Sequence, residues 1–367
     1  MKSRKVEDSM ERLLIVNSGS TSTKIAVYED EKQVFQENVS HDTEKLKEFA
    51  TVADQNEFRK DLILSVLGKH GFSMNAFTGI VARGGALPPI KSGAYKVNED
   101  MIWQLKYAPD HEHASSLAAL IAYEIASANG IPAFIYDAVA VDEMPPQLKL
   151  TGFPELERRG TGHNLNARAA ARRYAKDHNK EYRDYTLIVA HLGGGFSISL
   201  HQGGKIIDMI NDEDGSFTPE RAGALPIAPL IHMIFSGGYD EKSIMKKIKG
   251  QGGLVAHLGV NDSRKVEEMI IAGDAHAKMV YEAMALNVAK NIAREFPIVK
   301  GEVDAVLLTG GIAHSEMFTG MIRDRLNYIA PPVLVYAGEN EMEALALGGL
   351  RVLRGEETAA DYVKVEK

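Results

Sequence analysis

Cysteine is absent from the 367-residue chain, which excludes disulfides and thiolate-bound metal and agrees with a reducing compartment. Also missing is any uninterrupted apolar stretch near the roughly 18 residues of a membrane-spanning helix. The first positions hold no apolar segment before Leu13 and carry charges of both signs (Lys2, Arg4, Lys5, Glu7, Asp8, Glu11, Arg12). They read as a solvated tail rather than a secretory signal. These absences point to the cytoplasm and to no membrane partner. Positive charge is the minority sign, with Lys and Arg numbering 42 against 50 Asp and Glu, for a net charge of -8. A nucleic-acid backbone is therefore excluded as the main partner, although a local basic site for a small anion stays open. No low-complexity segment occurs.

What is present is a duplication. Leu14-Ile15-Val16 runs into Asn17-Ser18-Gly19-Ser20-Thr21-Ser22-Thr23-Lys24, after which Ile25, Ala26 and Val27 resume strand alternation. Leu187-Ile188-Val189 runs into Ala190-His191-Leu192-Gly193-Gly194-Gly195, and Ile198 and Leu200 resume it. The pairs Val16/Val189, Ile25/Ile198 and Val27/Leu200 are each 173 positions apart. A second echo lies 226 positions apart: Val81-Ala82-Arg83-Gly84-Gly85 and Leu307-Leu308-Thr309-Gly310-Gly311 are both strands ending in paired glycines. Glycines and small hydroxyl residues at such turns leave backbone N–H groups free to meet an anion. One loop in each half suggests two domains that pinch a polyphosphate between them. The length and the 45% apolar, 25% charged composition suit two soluble domains.

Along the chain, residues 13–37 predict a β-hairpin, 44–70 a largely helical stretch and Gly79 to Arg83 a buried strand. Asp110 can cap a helix running from His111 through Ala128, which Asn129-Gly130 stops before a strand over Ile131 to Tyr136. Asp137 then sits at the carboxyl end of a strand, where open α/β sheets bind ligands. Asp142 to Pro146 cannot continue a helix or a central strand and is the candidate crossover. This divides the chain into domains 1–145 and 146–345, with the terminal helix 346–367 returning to the first. A helix is predicted around Leu225 to Ile234, longer ones over Ser263 to Phe296, and a strand over Val303 to Leu308. The acidic loop Asp212-Glu213-Asp214-Gly215 does not fit a calcium loop, because Ile210 and Arg221 stand where that pattern needs carboxylates.

The ordered set Asn17 to Lys24, Tyr136-Asp137, Arg158-Arg159-Gly160-Thr161-Gly162-His163-Asn164, His191 to Gly195, Asp214 to Pro219 and Thr309 to Ala313 resembles the acetokinase family, most closely its butyrate kinases. That family lies in the superfamily of acetate and sugar kinases, heat-shock ATPases and actin. The resemblance implies an α/β fold of duplicated ribonuclease H-like (actin-like ATPase) domains around a central nucleotide cleft. It also implies reversible transfer of the γ-phosphoryl of ATP to a short-chain carboxylate, giving an acyl phosphate and ADP with Mg²⁺, in a homo-oligomer. A carboxylate is already ionised at neutral pH, so such chemistry needs no general base; it needs positive donors and a metal to hold two anions together.

By the same resemblance, Arg83, His163 and Asp137 are the catalytic candidates. Arg221 is the nearest substitute for a second family arginine that has no aligned counterpart. Asn17, Ser20, Ser22, His191, Gly193, Gly194 and Gly195 would meet phosphates, and Gly310, Gly311 and Ile312 the adenosine. Asn17 and a glutamate of Glu339-Asn340-Glu341-Met342-Glu343 would hold the metal, with the register favouring Glu343 over Glu341. Ala82, His111 and Gly162 would line the acyl pocket. Gly162 stands where acetate kinases carry phenylalanine, and Ala82 where they carry valine. Both are large-to-small changes that make room for a longer tail at roughly 0.8 kcal/mol per buried CH₂, which predicts butyrate, isobutyrate or valerate over acetate. The rival readings are an acyl-phosphate or polyphosphate hydrolase or a sugar kinase on the same scaffold, and an actin-like nucleotide switch.

Overall fold

The computed structural model describes residues 10–108 and 113–365. The chain divides into two compact units, Met1–Val141 with Asn340–Lys367, and Asp142–Glu339. No helix among the described residues is long and apolar enough to cross a membrane.

The first unit is built on a seven-stranded mixed sheet. Its strands are β1 (Arg12–Ser18), β2 (Ser22–Glu29), β3 (Lys32–Ser40), β4 (Gly79–Ala82), β5 (Ala94–Lys96), β6 (Ala133–Tyr136) and, late in the chain, β12 (Ala360–Asp361). The order is β12-β5-β6-β4-β1-β2-β3. The expected hairpin is thus a three-stranded antiparallel meander, because Asp30, at φ 50°, turns the chain again after β2. Leu14, Val16, Ile25, Val27, Ile80 and Ala82 point to one face and form a core with the helix Ser116–Asn129. That helix begins later than the sequence suggested; Asp110 and His111 lie outside the described residues. It ends as expected at Gly130, at φ 65°. The helix Glu341–Leu353 covers the opposite face. Gly348 and Gly349 permit the close approach, since a Cβ would meet the Tyr136 ring at 2.5 Å and Val81 at 2.4 Å.

The second unit carries five strands in the order β11-β10-β7-β8-β9. They are β7 (Leu187–Leu192), β8 (Phe196–Gln202), β9 (Lys205–Ile210), β10 (Ala305–Gly310) and β11 (Val333–Ala337). Ile188, Ala190, Ile198 and Leu200 form a core with the long helix Ala275–Glu295. Leu187 and Val189 face the other way, onto Ala167 and Ala171 of the helix Asn164–Asp177.

The duplication holds, but its register needs correction. Val16 points toward the core of its hairpin and so corresponds to Ala190, not to Val189, which lies on the opposite face. Pairing of the first hairpin ends at Ser18–Thr23 with four residues between, and of the second at Leu192–Phe196 with three. The second strands of the two hairpins therefore keep the sequence offset while the first strands shift by one. A one-residue slip inverts every side chain of a strand, and burial distinguishes the two registers.

Candidate functional site

In the first unit the polar residues converge at the turn between β1 and β2. A cavity of about 310 Å³ is lined there by Asn17, Ser18, Ser22, Lys24, Arg83 and Glu341, among others. Arg83 follows β4, and its backbone N–H donates to the Val16 carbonyl (2.9 Å). Its guanidinium pairs with the Glu341 carboxylate. The Asn17 amide Nδ2 donates to the other oxygen of Glu341 (2.6 Å). The structure thus brings Glu341, from the first turn of its helix, to Asn17 and Arg83. Glu343, which the register favoured, is exposed instead, and its charge is felt by Tyr28. Two residues along a helix is about 200° of rotation, so only one of the two glutamates can face the turn.

Arg59 escaped the sequence reading and organises this turn. It is fully buried in the helix Asn56–Lys69. Nη1 donates to the Gly19 carbonyl (2.7 Å), Nη2 to that of Ser20 (2.8 Å), and the guanidinium also takes the Gln55 side chain at 2.7 and 3.1 Å. With the Gly19 and Ser20 carbonyls held inward, the turn's oxygen atoms are kept away from any anion. Burial pushes the Arg59 guanidinium down to about 10. Burial, then the Arg59 charge, pushes the neighbouring His41 imidazole down to about 4, and His41 Nε2 shares a hydrogen bond with Thr23 Oγ1 (2.8 Å). A lone arginine in a helix otherwise rich in charged residues carries no sequence signal of such a role.

Asp137 lies just past β6, fully buried and at φ 41°, a conformation that few residues other than glycine, asparagine and aspartate adopt. Its backbone N–H donates to the Gly93 carbonyl (3.2 Å), and its carboxylate accepts from the Gly93 N–H (2.9 Å). Ala82 departs from the expectation of a pocket wall. It is wholly buried within the apolar core of its sheet, because alternation along β4 turns it to the same face as Ile80.

In the second unit His163, at the N-terminus of the helix Asn164–Asp177, stacks on His191 at the end of β7, with ring centroids 4.1 Å apart and planes at 19°. His163 Nδ1 shares a hydrogen bond with Ser197 Oγ (2.9 Å). His191 Nε2 lies 3.5 Å from Glu339 Oε1, while its buried Nδ1 has no partner among the described residues. Gly193 to Gly195 form the tight turn after β7. The Gly194 carbonyl accepts from Thr218 Oγ1 (2.7 Å), and nothing lies within 4 Å of where a Gly194 Cβ would point. A Cβ on Gly195 would strike the Arg221 guanidinium at 2.6 Å, so Arg221 lies over this turn; it also pairs with Asp212 (3.1 Å). Gly310, at φ 91°, exchanges backbone hydrogen bonds with Gly338 (3.2 and 3.0 Å). Its missing Cβ would sit 2.4 Å from the Leu192 carbonyl. Gly311 and Ile312 open the short 3-10 turn that follows.

Gly162 does not border an empty space. A Cβ there would meet the Met209 sulfur at 2.7 Å, so a thioether occupies the volume that the sequence assigned to a longer acyl tail. The third pocket candidate, His111, lies outside the described residues.

The family's sequence profile, described as the Acetokinase family, matches residues 104–329, more than half of the chain. The chain belongs to the acetokinase family. Membership indicates a carboxylate phosphotransferase. Similar solved structures include a propionate kinase from Francisella tularensis subsp. tularensis SCHU S4, with a TM-score of 0.72, 20% identity, and 92% of this chain and 99% of that chain covered. Porphyromonas gingivalis acetate kinase follows the chain with a TM-score of 0.76 at 18% identity over 94% of this chain and 100% of that chain. Acetate kinase from Entamoeba histolytica has a TM-score of 0.73 at 15% identity over 92% and 98%. These likenesses establish the fold, a duplicated actin-like ATPase architecture of mixed α/β sheets.

Proposed function

We propose that this member of the acetokinase family transfers the γ-phosphoryl of ATP reversibly to a short-chain carboxylate, with butyrate and its isobutyrate and valerate relatives preferred over acetate. The observation that carries the reading is Arg83. It presents a guanidinium to a carboxylate, that of Glu341, beside a turn whose hydroxyls and N–H groups suit phosphate oxygens.

In this reading Arg83 orients the acceptor carboxylate, and His163, fixed by Ser197 and the His191 ring, stabilises charge on the transferring phosphoryl. Arg221, above the glycine turn, adds a second cation. The Gly193 to Gly195 turn, Ser20, Ser22 and His191 hold phosphates, and Gly310, Gly311 and Ile312 lie against the adenosine. Asp137, with its carboxylate fixed by Gly93, positions the phosphoryl or a water. The residues suit Mg²⁺, which takes hard oxygen ligands and keeps several waters rather than filling an all-protein cage. Glu341 and Asn17 offer such oxygens, and no group of three or more metal-ligating side chains occurs among the described residues. When bound, Mg²⁺ would supply positive charge at the phosphates.

The preference for butyrate rests on the small residue at position 162. Met209 is unbranched with a flexible thioether, so room for the longer tail is made by its displacement. The test is ATP- and Mg²⁺-dependent acyl phosphate formation, trapped with hydroxylamine, over acetate, propionate, butyrate, isobutyrate and valerate with ADP measured in parallel. The expected result is a four- or five-carbon optimum with ADP matching trapped acyl phosphate, and an optimum that moves to shorter acids in Gly162→Phe. ADP release without acyl phosphate would instead favour a hydrolase or nucleotide switch.

A further inference from the structure

A cavity of about 660 Å³ opens in the second unit between the later turns of the helix Ala275–Glu295, the loop after β9 and the end of the helix Glu316–Arg325. None of the residues lining it has a part in the phosphoryl transfer proposed above. The ten-residue helix Glu316–Arg325 sets it about 15 Å from the Gly310 to Ile312 turn. Three cations line the cavity, Lys290, Arg294 and Arg325, against a single carboxylate, Asp214. That carboxylate is already engaged, since it accepts from Arg158 Nε (3.1 Å) and lies 3.6 Å from Arg294 Nη2. Lys290 and Arg325 form no ion pair or side-chain hydrogen bond among the described residues. Helical spacing offers Lys290 no acid either: Leu286, Asn287, Ala293 and Arg294 stand three and four residues away, and the last repels it. Arg294 and Arg325 stand in the last turns of their helices, where the helix dipole favours a cation. Lys290, five residues before the end of its helix, has no such reason.

We propose that this cavity binds a small organic phosphate, with the anionic head at Lys290, Arg294 and Arg325 and the uncharged body along Phe217 and Leu286. Carboxylates outnumber cations 50 to 42 in the chain, so two cations left without an acid in one concave site are not a general surplus of positive charge. An anion there relieves the repulsion between Lys290 and Arg294 and gives each cation a charge-assisted hydrogen bond. The volume is that of a site for a whole small molecule rather than for a bare inorganic anion. A nucleic-acid backbone is disfavoured by the net charge of -8.

The test is calorimetric titration of the full chain at saturating ADP and Mg²⁺, with glucose 6-phosphate, 3-phosphoglycerate, inorganic pyrophosphate and uncharged glucose as probes. At least one of the two organic phosphates should bind at one site per chain, more tightly than pyrophosphate, and glucose should not bind. The double variant Lys290→Gln/Arg325→Gln should weaken that binding by about 10- to 100-fold. Its circular dichroism spectrum and its rate of acyl phosphate formation without probe should match wild type, and Lys290→Arg should retain the binding. Failure of both organic phosphates to bind, equal affinity in the double variant, or pyrophosphate binding as tightly as either would overturn the proposal. So would binding seen only without ADP, which would place the anion at the phosphate turns. A chain that bound organic phosphate in this way while forming no acyl phosphate would refute the kinase reading and leave this site standing.

Discussion

Glu341 reaches two partners that lie far from it in sequence, Asn17 and Arg83. Helix phase turns Glu341 to these partners and leaves Glu343 exposed, whereas the sequence register favoured Glu343. The choice depends on where the helix begins, and apolar periodicity in the sequence does not fix a helix boundary to within the two residues at issue. The two carboxylates therefore make a sharp experiment. In the proposed reading Glu341→Gln removes a hard ligand together with the Arg83 partner, and the Mg²⁺ concentration for half-maximal activity should rise by about 10- to 100-fold. Glu343→Gln, at an exposed position, should stay within about a factor of two of wild type. A Mg²⁺ titration that shows the reverse ranking would return the role to Glu343. Arg59 lies at the other extreme of legibility. Its type and helical setting match any solvated arginine, and only its complete burial against the Gly19 and Ser20 carbonyls reveals that it holds the turn.

Among elements, the hairpins and the strand-to-glycine units were legible because a buried strand needs a continuous apolar run and a turn against an anion needs residues without bulk. The exact correspondence between hairpins was not, since turns of four and three residues shift one strand relative to the other without changing its apolar character. What packs beside the proposed acyl-pocket positions was hidden for a related reason. Small residues at Gly162 and Ala82 signal space only if nothing else fills it, and Met209 and the sheet core do. The same distinction separates two glycines of the second unit. Gly310 is required by the fold, with a positive φ and a Leu192 backbone atom at 2.4 Å from its absent Cβ. Gly310→Ala should cost about 2–4 kcal/mol in urea denaturation. Gly194 faces open space, so Gly194→Ala should leave stability within about 0.5 kcal/mol while raising KM for ATP. Equal stability losses in both variants would remove the case for a turn shaped by its ligand.

Across the whole molecule, the chain crosses between units twice, after Val141 and after Glu339, and each unit keeps its own apolar core and its own buried titratable groups. Those groups give the units opposite pH signatures. In the first, His41 titrates at about 4 rather than 6.5. The unfolded state then binds more protons than the folded between those values, so stability is full above pH 6.5 and falls as pH drops toward 4. The loss is on the order of 3 kcal/mol, and His41→Gln should flatten it. In the second unit Glu295 is fully buried, neither carboxyl oxygen has a partner among the described residues, and burial, with Asp208 adding to it, holds its carboxyl protonated well above the usual range. Here the folded state keeps a proton that the unfolded state has released, so stability is lost as pH rises. Glu295→Gln keeps the shape of the neutral acid and removes that loss. Urea denaturation should show the variant close to wild type near pH 4 and increasingly more stable than wild type toward pH 8. A variant that is less stable at pH 8, or whose effect does not change with pH, would mean that Glu295 is ionised in the folded protein and that its charge is met by Arg158 or Arg294.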